Sequence, residues 1–416
     1  MRVDARPIDR GAEAIVWRNG RQEFSQDIEF PTRQGTPLMI SRLADVGVRV
    51  ADSATGALSA AGLPAARALG ADRDAIRPYV ESSEYLVDGA FVNPEPSASG
   101  ATPDFQVALD MARGPGRPSR PVLVTVPQFD AEPGKLTVTW LGHASALVEL
   151  DGTRILTDPV FSQRCSPWQQ VGPARLHPVP VTVADLPQID VVLLSHDHYD
   201  HLDMDTVVAL ADASPEAVFI APVGVAAHLV SWGIAADRIR QADVWQSVSV
   251  TCGATSLEFF CGPARHFSGR GLTRNLTQWA SWAVVGPEHR FFFSGDTGYS
   301  ERFEELGARH GPFDLTLIAV GAYDPSWPEV HVDPEEAVAI HRMLSGEAGS
   351  DSVFLPIHWG TFSLARHAWA DPITRLLPAA ERNNTSVVVP QPGGTIDITA
   401  RIGTGLRTPT WWETSA

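Results

Sequence analysis

Val191-Val-Leu-Leu-Ser-His-Asp-His-Tyr-Asp-His-Leu202 decides the reading of this chain. The apolar run Val191 to Leu194 predicts a buried strand. Directly after it come His196, His198, Asp200 and His201. So many polar rings and acids at a strand end are costly in a core unless each finds a partner. Neutral imidazole and carboxylate are the groups that bind zinc and similar divalent ions. Alternate residues of an extended segment point the same way, so His196 and His198 can grip one ion. Asp200 and His201 then turn away and can serve a second ion.

Two ions need more ligands, and three later sites offer them, each after an apolar strand. Phe259-Phe-Cys-Gly-Pro-Ala-Arg-His266 ends in histidine. Phe291-Phe-Phe-Ser-Gly-Asp-Thr-Gly298 presents Asp296 between glycines, where the backbone can turn sharply. Val353-Phe-Leu-Pro-Ile-His-Trp-Gly360 presents His358. Taken singly, His266 and His358 read equally well as hydrogen-bonded loop histidines and Asp296 as a turn former. Taken together and in this order, they read as a ligand set.

The net charge of -17 over 416 residues argues against nucleic acid as a partner, because phosphate binding needs a basic footprint. Lys135 is the only lysine. Cys165, Cys252 and Cys261 lack paired spacing, so no disulfide scaffold is expected, which suits the cytoplasm. Met1 to Arg10 carry both signs of charge with no apolar segment behind them, unlike a secretory signal. No stretch approaches the ~20 apolar residues of a membrane-spanning helix. A lipid substrate would therefore be met by a soluble enzyme or one peripheral to the membrane.

Residues 1–84 read as an extension of unknown role, with a weak helical pattern from Leu43 to Leu69. Residues 85–135 read as a connector, irregular and rich in Pro, Gly and Ser over 94–121. From residue 136 to 416 the pattern becomes regular. Strands at Leu136–Leu141, Ala146–Leu150 and Arg154–Thr157 surround an Asp151-Gly152 hairpin turn. Further strands are predicted at Ala217–Ala221, Ser247–Thr251, Ser256–Phe260, Trp282–Val285, Arg290–Phe293, Leu315–Ala319, Val353–Ile357 and Ser386–Val389. Helices are predicted at Asp203–Ala211, Val225–Trp232, Glu301–His310, Pro334–Leu344 and Pro372–Arg382. This alternation predicts an α/β fold of two sheets between helices. No internal repeat is evident.

The order of the four ligand-bearing sites resembles the metallo-β-lactamase superfamily, with its His-x-His-x-Asp-His motif followed by His, Asp and His. Thr139-Trp-Leu-Gly-His-Ala144, Leu156-Thr-Asp-Pro-Val-Phe-Ser162, Trp279-Ala-Ser-Trp282, Ser294-Gly-Asp-Thr-Gly-Tyr299, Gly321-Ala-Tyr-Asp-Pro-Ser-Trp327, His331-Val-Asp-Pro-Glu-Glu-Ala337 and His358-Trp-Gly-Thr-Phe362 add a closer likeness. Within the superfamily, these stretches are similar to the N-acylphosphatidylethanolamine-hydrolysing phospholipase D group. The resemblance runs from about residue 85 to the end. It implies an αββα four-layer sandwich holding two divalent metal ions, with zinc favoured by the imidazoles. One ion would be held by His196, His198 and His266, the other by Asp200, His201 and His358, with Asp296 bridging. The implied reaction is phosphodiester hydrolysis by a metal-bridging hydroxide, with a phospholipid or another small ester as substrate. Asp296 would orient the nucleophile and His331 would contact a phosphate oxygen or the leaving group; the alternative for His331 is an exposed loop histidine.

Asp158 is expected to accept the outer N–H of a ligating imidazole, the alternative being an Asp-Pro turn. His143 reads either as orienting the metal loop or as a buried core histidine. Tyr199, Tyr323, Trp327, Trp359 and Phe362 lie near the ligands in sequence and are candidates to wall an apolar cleft. His177, His228, His289, His310, His341 and His367 are expected on the surface or in packing. The competing functions are a lactonase or esterase on the same fold, a nuclease disfavoured by charge, and a non-catalytic metal-binding protein. The last is disfavoured because structural zinc sites are normally closed around a single ion.

Overall fold

The computed structural model describes residues 64–95, 116–270, 273–346, 351–400 and 410–416. It opens with helices α1 (Pro64–Arg67) and α2 (Arg73–Val80) and a hairpin of β1 (Leu86–Val87) and β2 (Ala90–Phe91). The pattern expected from Leu43 lies outside the described residues up to α1, as do residues 96–115 of the connector. Residues 116–135 contain no helix or strand.

Two seven-stranded sheets follow. The first contains β3 (Leu136–Gly142), β4 (Ser145–Leu150), β5 (Thr153–Thr157), β6 (Val191–Leu193), β7 (Val218–Pro222) and β8 (Ile239–Ala242), closed at the far edge by β16 (Thr395–Asp397). The second contains β9 (Ser247–Cys252), β10 (Thr255–Gly262), β11 (Ser281–Val285), β12 (Arg290–Phe293), β13 (Leu315–Ala319), β14 (Val353–Ile357) and β15 (Ser386–Val387). The remaining helices are α3 (Met204–Ala213), α4 (Val225–Ser231), α5 (Arg302–His310), α6 (Pro334–Ser345) and α7 (Asp371–Arg382).

The predicted strands all form, most within a residue or two of their expected ends. Four short strands were not anticipated, the hairpin strands β1 and β2 and the edge strands β8 and β16. In β8, Ile239-Arg-Gln-Ala242 is short and half polar, and β16 is Thr-Ile-Asp; neither carries the apolar alternation that announces a strand. Only Ser386 and Val387 of the expected Ser386–Val389 strand are paired in register.

Register explains the layering. Leu156, Val192 and Phe219 are lateral neighbours in the first sheet. They cluster with Val207 and Leu210 of α3 and Leu229 of α4. Ile155, Val191, Leu193 and Ile220 instead join Phe259, Trp282 and Phe293 of the opposite sheet. In the second sheet Phe292 packs edge-on against Phe303 of α5, 5.8 Å between ring centres. Phe291, Phe292 and Phe293 are all fully buried, so one sheet strand serves both faces. Each such side chain stabilises the fold by about 1.5–3 kcal/mol.

The sheets share one strand order although the sequence shows no repeat. Counted from the antiparallel edge they read β16-β3-β4-β5-β6-β7-β8 and β9-β10-β11-β12-β13-β14-β15. In both, the first three pairings are antiparallel and the last three parallel. The change of direction falls at β5 and β12, and each is followed by a buried aspartate, Asp158 or Asp296.

Residues on either side of the expected boundary at 84 pack together. Ile76 and Val80 of α2 share a cluster with Phe91, Ala227 and Trp279. This part of the extension therefore lies against the sandwich.

Candidate metal centre

All seven expected ligands come together. Nε2 of His196 lies 2.8 Å from Nδ1 of His198, and Nε2 of His266 lies 3.2 Å from the same nitrogen. With Asp296 they form one group whose ligand atoms lie within 4.8 Å of one another. The second group holds Asp200, His201 and His358, and His143 joins it. Nε2 of His358 is 3.1 Å from Nε2 of His201 and 3.3 Å from Oδ2 of Asp200. Oδ2 of Asp200 is in turn 3.0 Å from Nε2 of His143.

Asp296 stands between the groups. Its Oδ1 is 3.1 Å from His358 Nε2, and its Oδ2 is 3.1 Å from His201 Nε2 and 3.6 Å from His266 Nε2. Gly295 makes this placement possible. It has φ of +53°, and a Cβ there would lie 2.4 Å from Ser195 Cβ. Each group draws on both sheets: His143, the 196–201 loop and Asp158 follow strands of the first, and His266, Asp296 and His358 follow strands of the second.

The outer ring nitrogens explain which atoms face inward. Nδ1 of His266 donates to Val330 O at 3.0 Å. Nδ1 of His201 donates to Asp158 Oδ2 at 2.6 Å. Ser195 Oγ donates to the same oxygen at 2.5 Å and accepts from Nδ1 of His196 at 2.9 Å. Asp158 thus fixes a ring in each group, one directly and one through Ser195. His143, Asp158 and His358 all adopt positive φ, at +54°, +30° and +62°. Strained non-glycine backbone of this kind persists only where the surroundings enforce it.

Burial lowers His143 to about 3, helped by His358 and opposed by Asp200. Burial likewise lowers His331 to about 4, against the attraction of Asp296. At His358 burial is outweighed by Asp296 and Asp200, which raise the ring to about 9. His201 is also raised, again by Asp296 and Asp200 against burial. Asp296 itself is held low because His201, His358 and His331 overcome the effect of its burial.

The donors fit divalent metal ions. Imidazole nitrogens converge at hydrogen-bond distance, while the outer nitrogens of His196, His201 and His266 are already engaged. Asp296 Oδ1 and His331 Nδ1 are buried without hydrogen-bond partners. A pair of cations bound among the seven ligands would satisfy the converging imidazoles and Asp296 Oδ1, and His331 would stay beside them with a free nitrogen.

His331 is not an exposed loop residue. Its Nδ1 lies 3.9 Å from Asp296 Oδ2, and its ring stacks 5.2 Å from that of His358. The capping box of α6 fixes this position: Asp333 accepts from Glu336 N at 2.9 Å, and Glu336 accepts from Asp333 N at 3.0 Å. His143 proves to be both buried and turned toward a ligand.

The aromatic residues divide. The Phe362 and His143 rings meet edge to face, with their centres 5.2 Å apart. Tyr199 donates to Arg270 O and lies under the Arg270 guanidinium, and with Trp168 and Met204 it lines a surface cleft. Tyr323 donates to Asp371, and Trp327 donates to Ala322 O at 2.8 Å. Trp359 is corrected from cleft wall to core. It is 2% exposed and stacks 5.5 Å from Trp140, with Trp369 and Trp411 completing a tryptophan cluster.

Of the remaining histidines, His177, His228 and His341 are buried in hydrogen-bonded packing. His228 does more than pack: its Nε2 lies 3.3 Å from Asp197 Oδ2 inside the metal loop. Asp197 also accepts from Thr277 Oγ1 at 2.8 Å and Gly269 N at 2.7 Å. Sequence reading missed this support and the Ser195 relay, although both residues stand within the motif. Among the described residues no helix is long and apolar enough to cross a membrane.

Comparison with known proteins agrees with this geometry. The family model described as beta-lactamase superfamily domain matches residues 153–359. An uncharacterized protein of Mycobacterium tuberculosis is 49% identical over 85% of this chain and 93% of its own length. The N-acyl-phosphatidylethanolamine-hydrolyzing phospholipase D 1 of Caenorhabditis elegans is 38% identical, over 58% of this chain and 68% of that protein. A metallo hydrolase structure from Ignicoccus hospitalis superposes with a TM-score of 0.49 at 20% identity, covering 63% of this chain and 97% of that one. The motif, the family model and the relatives matched in sequence place the chain in the metallo-β-lactamase superfamily, as a metal-dependent hydrolase similar to its N-acylphosphatidylethanolamine-hydrolysing phospholipase D group.

Proposed function

We propose that the chain is a phosphodiesterase of phospholipase D type that cleaves N-acylphosphatidylethanolamine-like phospholipids with two zinc ions. The observation that carries this reading is the position of Asp296, within 3.6 Å of ring nitrogens from both ligand groups. His196, His198 and His266 would hold one ion and Asp200, His201 and His358 the other, with Asp296 shared and His143 oriented on Asp200. The phospholipid as substrate is supported by the likeness to the Caenorhabditis elegans enzyme and to the yeast mitochondrial N-acyl-phosphatidylethanolamine-hydrolyzing phospholipase D, 30% identical over 58% of this chain. When bound, the ions supply acidification of water and neutralisation of charge on the phosphodiester.

The chain's own groups then divide the remaining work. Asp296 accepts a hydrogen bond from the attacking water and aims it. His331, neutral at pH 7 because burial lowers it to about 4, donates or accepts a hydrogen bond at the departing alcohol without adding charge. Asp158 keeps His201 and, through Ser195, His196 in the orientation that turns Nε2 inward. The exposed Trp168 and Val171 suit peripheral contact with a lipid surface.

The test is hydrolysis of N-acylphosphatidylethanolamine in mixed micelles, in oxygen-18 water, by zinc-loaded protein, beside Asp296→Asn. Labelled phosphatidate and unlabelled N-acylethanolamine are expected, and the variant should form neither at a comparable rate. Absence of turnover by protein holding two metals would overturn the lipid assignment. It would bring forward lactones and other small esters.

A further inference from the structure

His266 stands four residues beyond the end of β10, where no strand neighbour is available to hold its main chain. Asn93 takes that place. Its Nδ2 donates to His266 O at 2.8 Å, and its Oδ1 accepts from His266 N at 3.1 Å. The carboxamide thus pairs with both main-chain polar groups of one residue, as an adjacent strand would. Trp279 Nε1 donates to the same Oδ1 at 3.1 Å, and this fixes which end of the amide is oxygen. Nothing in the sequence around Asn93 resembles a ligand motif, and the two residues are 173 positions apart.

The same N-terminal piece also reaches the supports of Asp197 in the metal loop. Ala71 N donates to His228 Nδ1 at 2.9 Å, and the other nitrogen of that ring faces Asp197. Arg270 links Ala68 O to Asp197 O and Leu202 O, with distances of 2.7–3.1 Å. Gly70, at φ +81°, allows the approach; a Cβ there would fall 2.2 Å from His228 Nδ1. Residues 64–95 therefore hold the ligand loops at two separate places.

We propose that Asn93 is a positioning residue of the metal centre, holding His266 so that its Nε2 meets His196 and His198 around one ion. The proposal rests on the two-metal reading above. Its content is that a residue well ahead of the ligand motifs sets the affinity of one ion and spares the other. Loss of such an outer contact typically weakens a metal about 10–100-fold.

The experiment uses the full chain as wild type, Asn93→Ala, Asn93→Asp and His266→Ala. Each is titrated with cobalt and with zinc against a competing chelator, with visible absorption reporting each ion's surroundings. His266→Ala identifies the ion and the spectral band that depend on this ligand. Asn93→Ala is expected to weaken that same ion about 10–100-fold and leave the second within about threefold. Asn93→Asp keeps the acceptor but not the donor, and should weaken the same ion by less. Retention of both ions at wild-type affinity in Asn93→Ala would overturn the proposal. Equal weakening of both ions in Asn93→Asp would overturn it too, because that is what general loosening of the fold produces. If wild type binds no metal, or His266→Ala binds as wild type does, the two-metal reading itself falls, and the Asn93 proposal with it.

Discussion

Oδ2 of Asp158 lies 2.6 Å from Nδ1 of His201, with both side chains wholly buried. The same carboxylate receives Ser195 N at 2.7 Å and Ser195 Oγ at 2.5 Å, and Ser195 in turn holds His196. One acid therefore orients an imidazole in each ligand group. Asp158→Asn keeps the volume but replaces an acceptor with a donor at one position. It should weaken both ions about 10–100-fold, in contrast to the single-ion effect expected at Asn93. Chelator competition on the two variants side by side checks this.

Gly295 admits no side chain. A Cβ would meet Ser195 Cβ at 2.4 Å and Ala280 O at 2.9 Å, on a backbone at φ +53°. Gly295→Ala should cost about 1–3 kcal/mol from the backbone alone, and should displace Asp296. Thermal unfolding and metal content will fall together. Unchanged metal content would show that the loop relaxes without moving the carboxylate.

Trp359 and Trp168 predict opposite outcomes. Trp359 is 2% exposed within the tryptophan cluster, and its replacement by Ala should cost about 3–5 kcal/mol in urea unfolding. Trp168 is 55% exposed, and its replacement should leave stability within about 0.5 kcal/mol. On the proposed function, Trp168→Ala should instead lower binding to phospholipid vesicles in a sedimentation assay.

Acid sensitivity should be traceable to His341. Burial lowers this ring to about 3 from an ordinary 6.5, with Thr316 Oγ1 2.8 Å from its Nδ1. Between those values the unfolded chain binds the proton and the folded one does not. The contribution is therefore complete above pH 6.5 and is lost as pH falls toward 3, at about 1.4 kcal/mol per unit. His341→Gln removes the titration. Urea unfolding of metal-free protein at pH 7 and pH 5 should show a smaller loss for the variant.

The ligands were legible because each follows an apolar strand and carries its chemistry in a few adjacent residues. The strand β6 and the run Phe291-Phe-Phe293 were equally plain, since burial on both faces leaves a continuous apolar signal. What escaped was set by contacts distant in sequence. Asn93 meets His266 across 173 positions, and His143 meets Asp200 across 57. No local pattern encodes either meeting. β8 and β16 were missed because edge strands need little apolar surface. Trp359 was misjudged because nearness to a ligand along the chain does not fix which way a side chain points. The shared strand order of the two sheets left no trace by eye, because a strand order can persist while the residues that fill it diverge.

Each ligand group takes side chains from both sheets, so every bound ion would be a crosslink between the halves of the sandwich. An ion that binds only the folded protein adds RT ln(1 + [M]/Kd) to its stability, about 4 kcal/mol at a thousandfold excess over Kd. The free concentration of metal would then set how firmly the halves are joined as well as whether the centre can react. Scarcity of the ion would loosen the protein as well as idle it, and the melting temperature should climb with the logarithm of added metal.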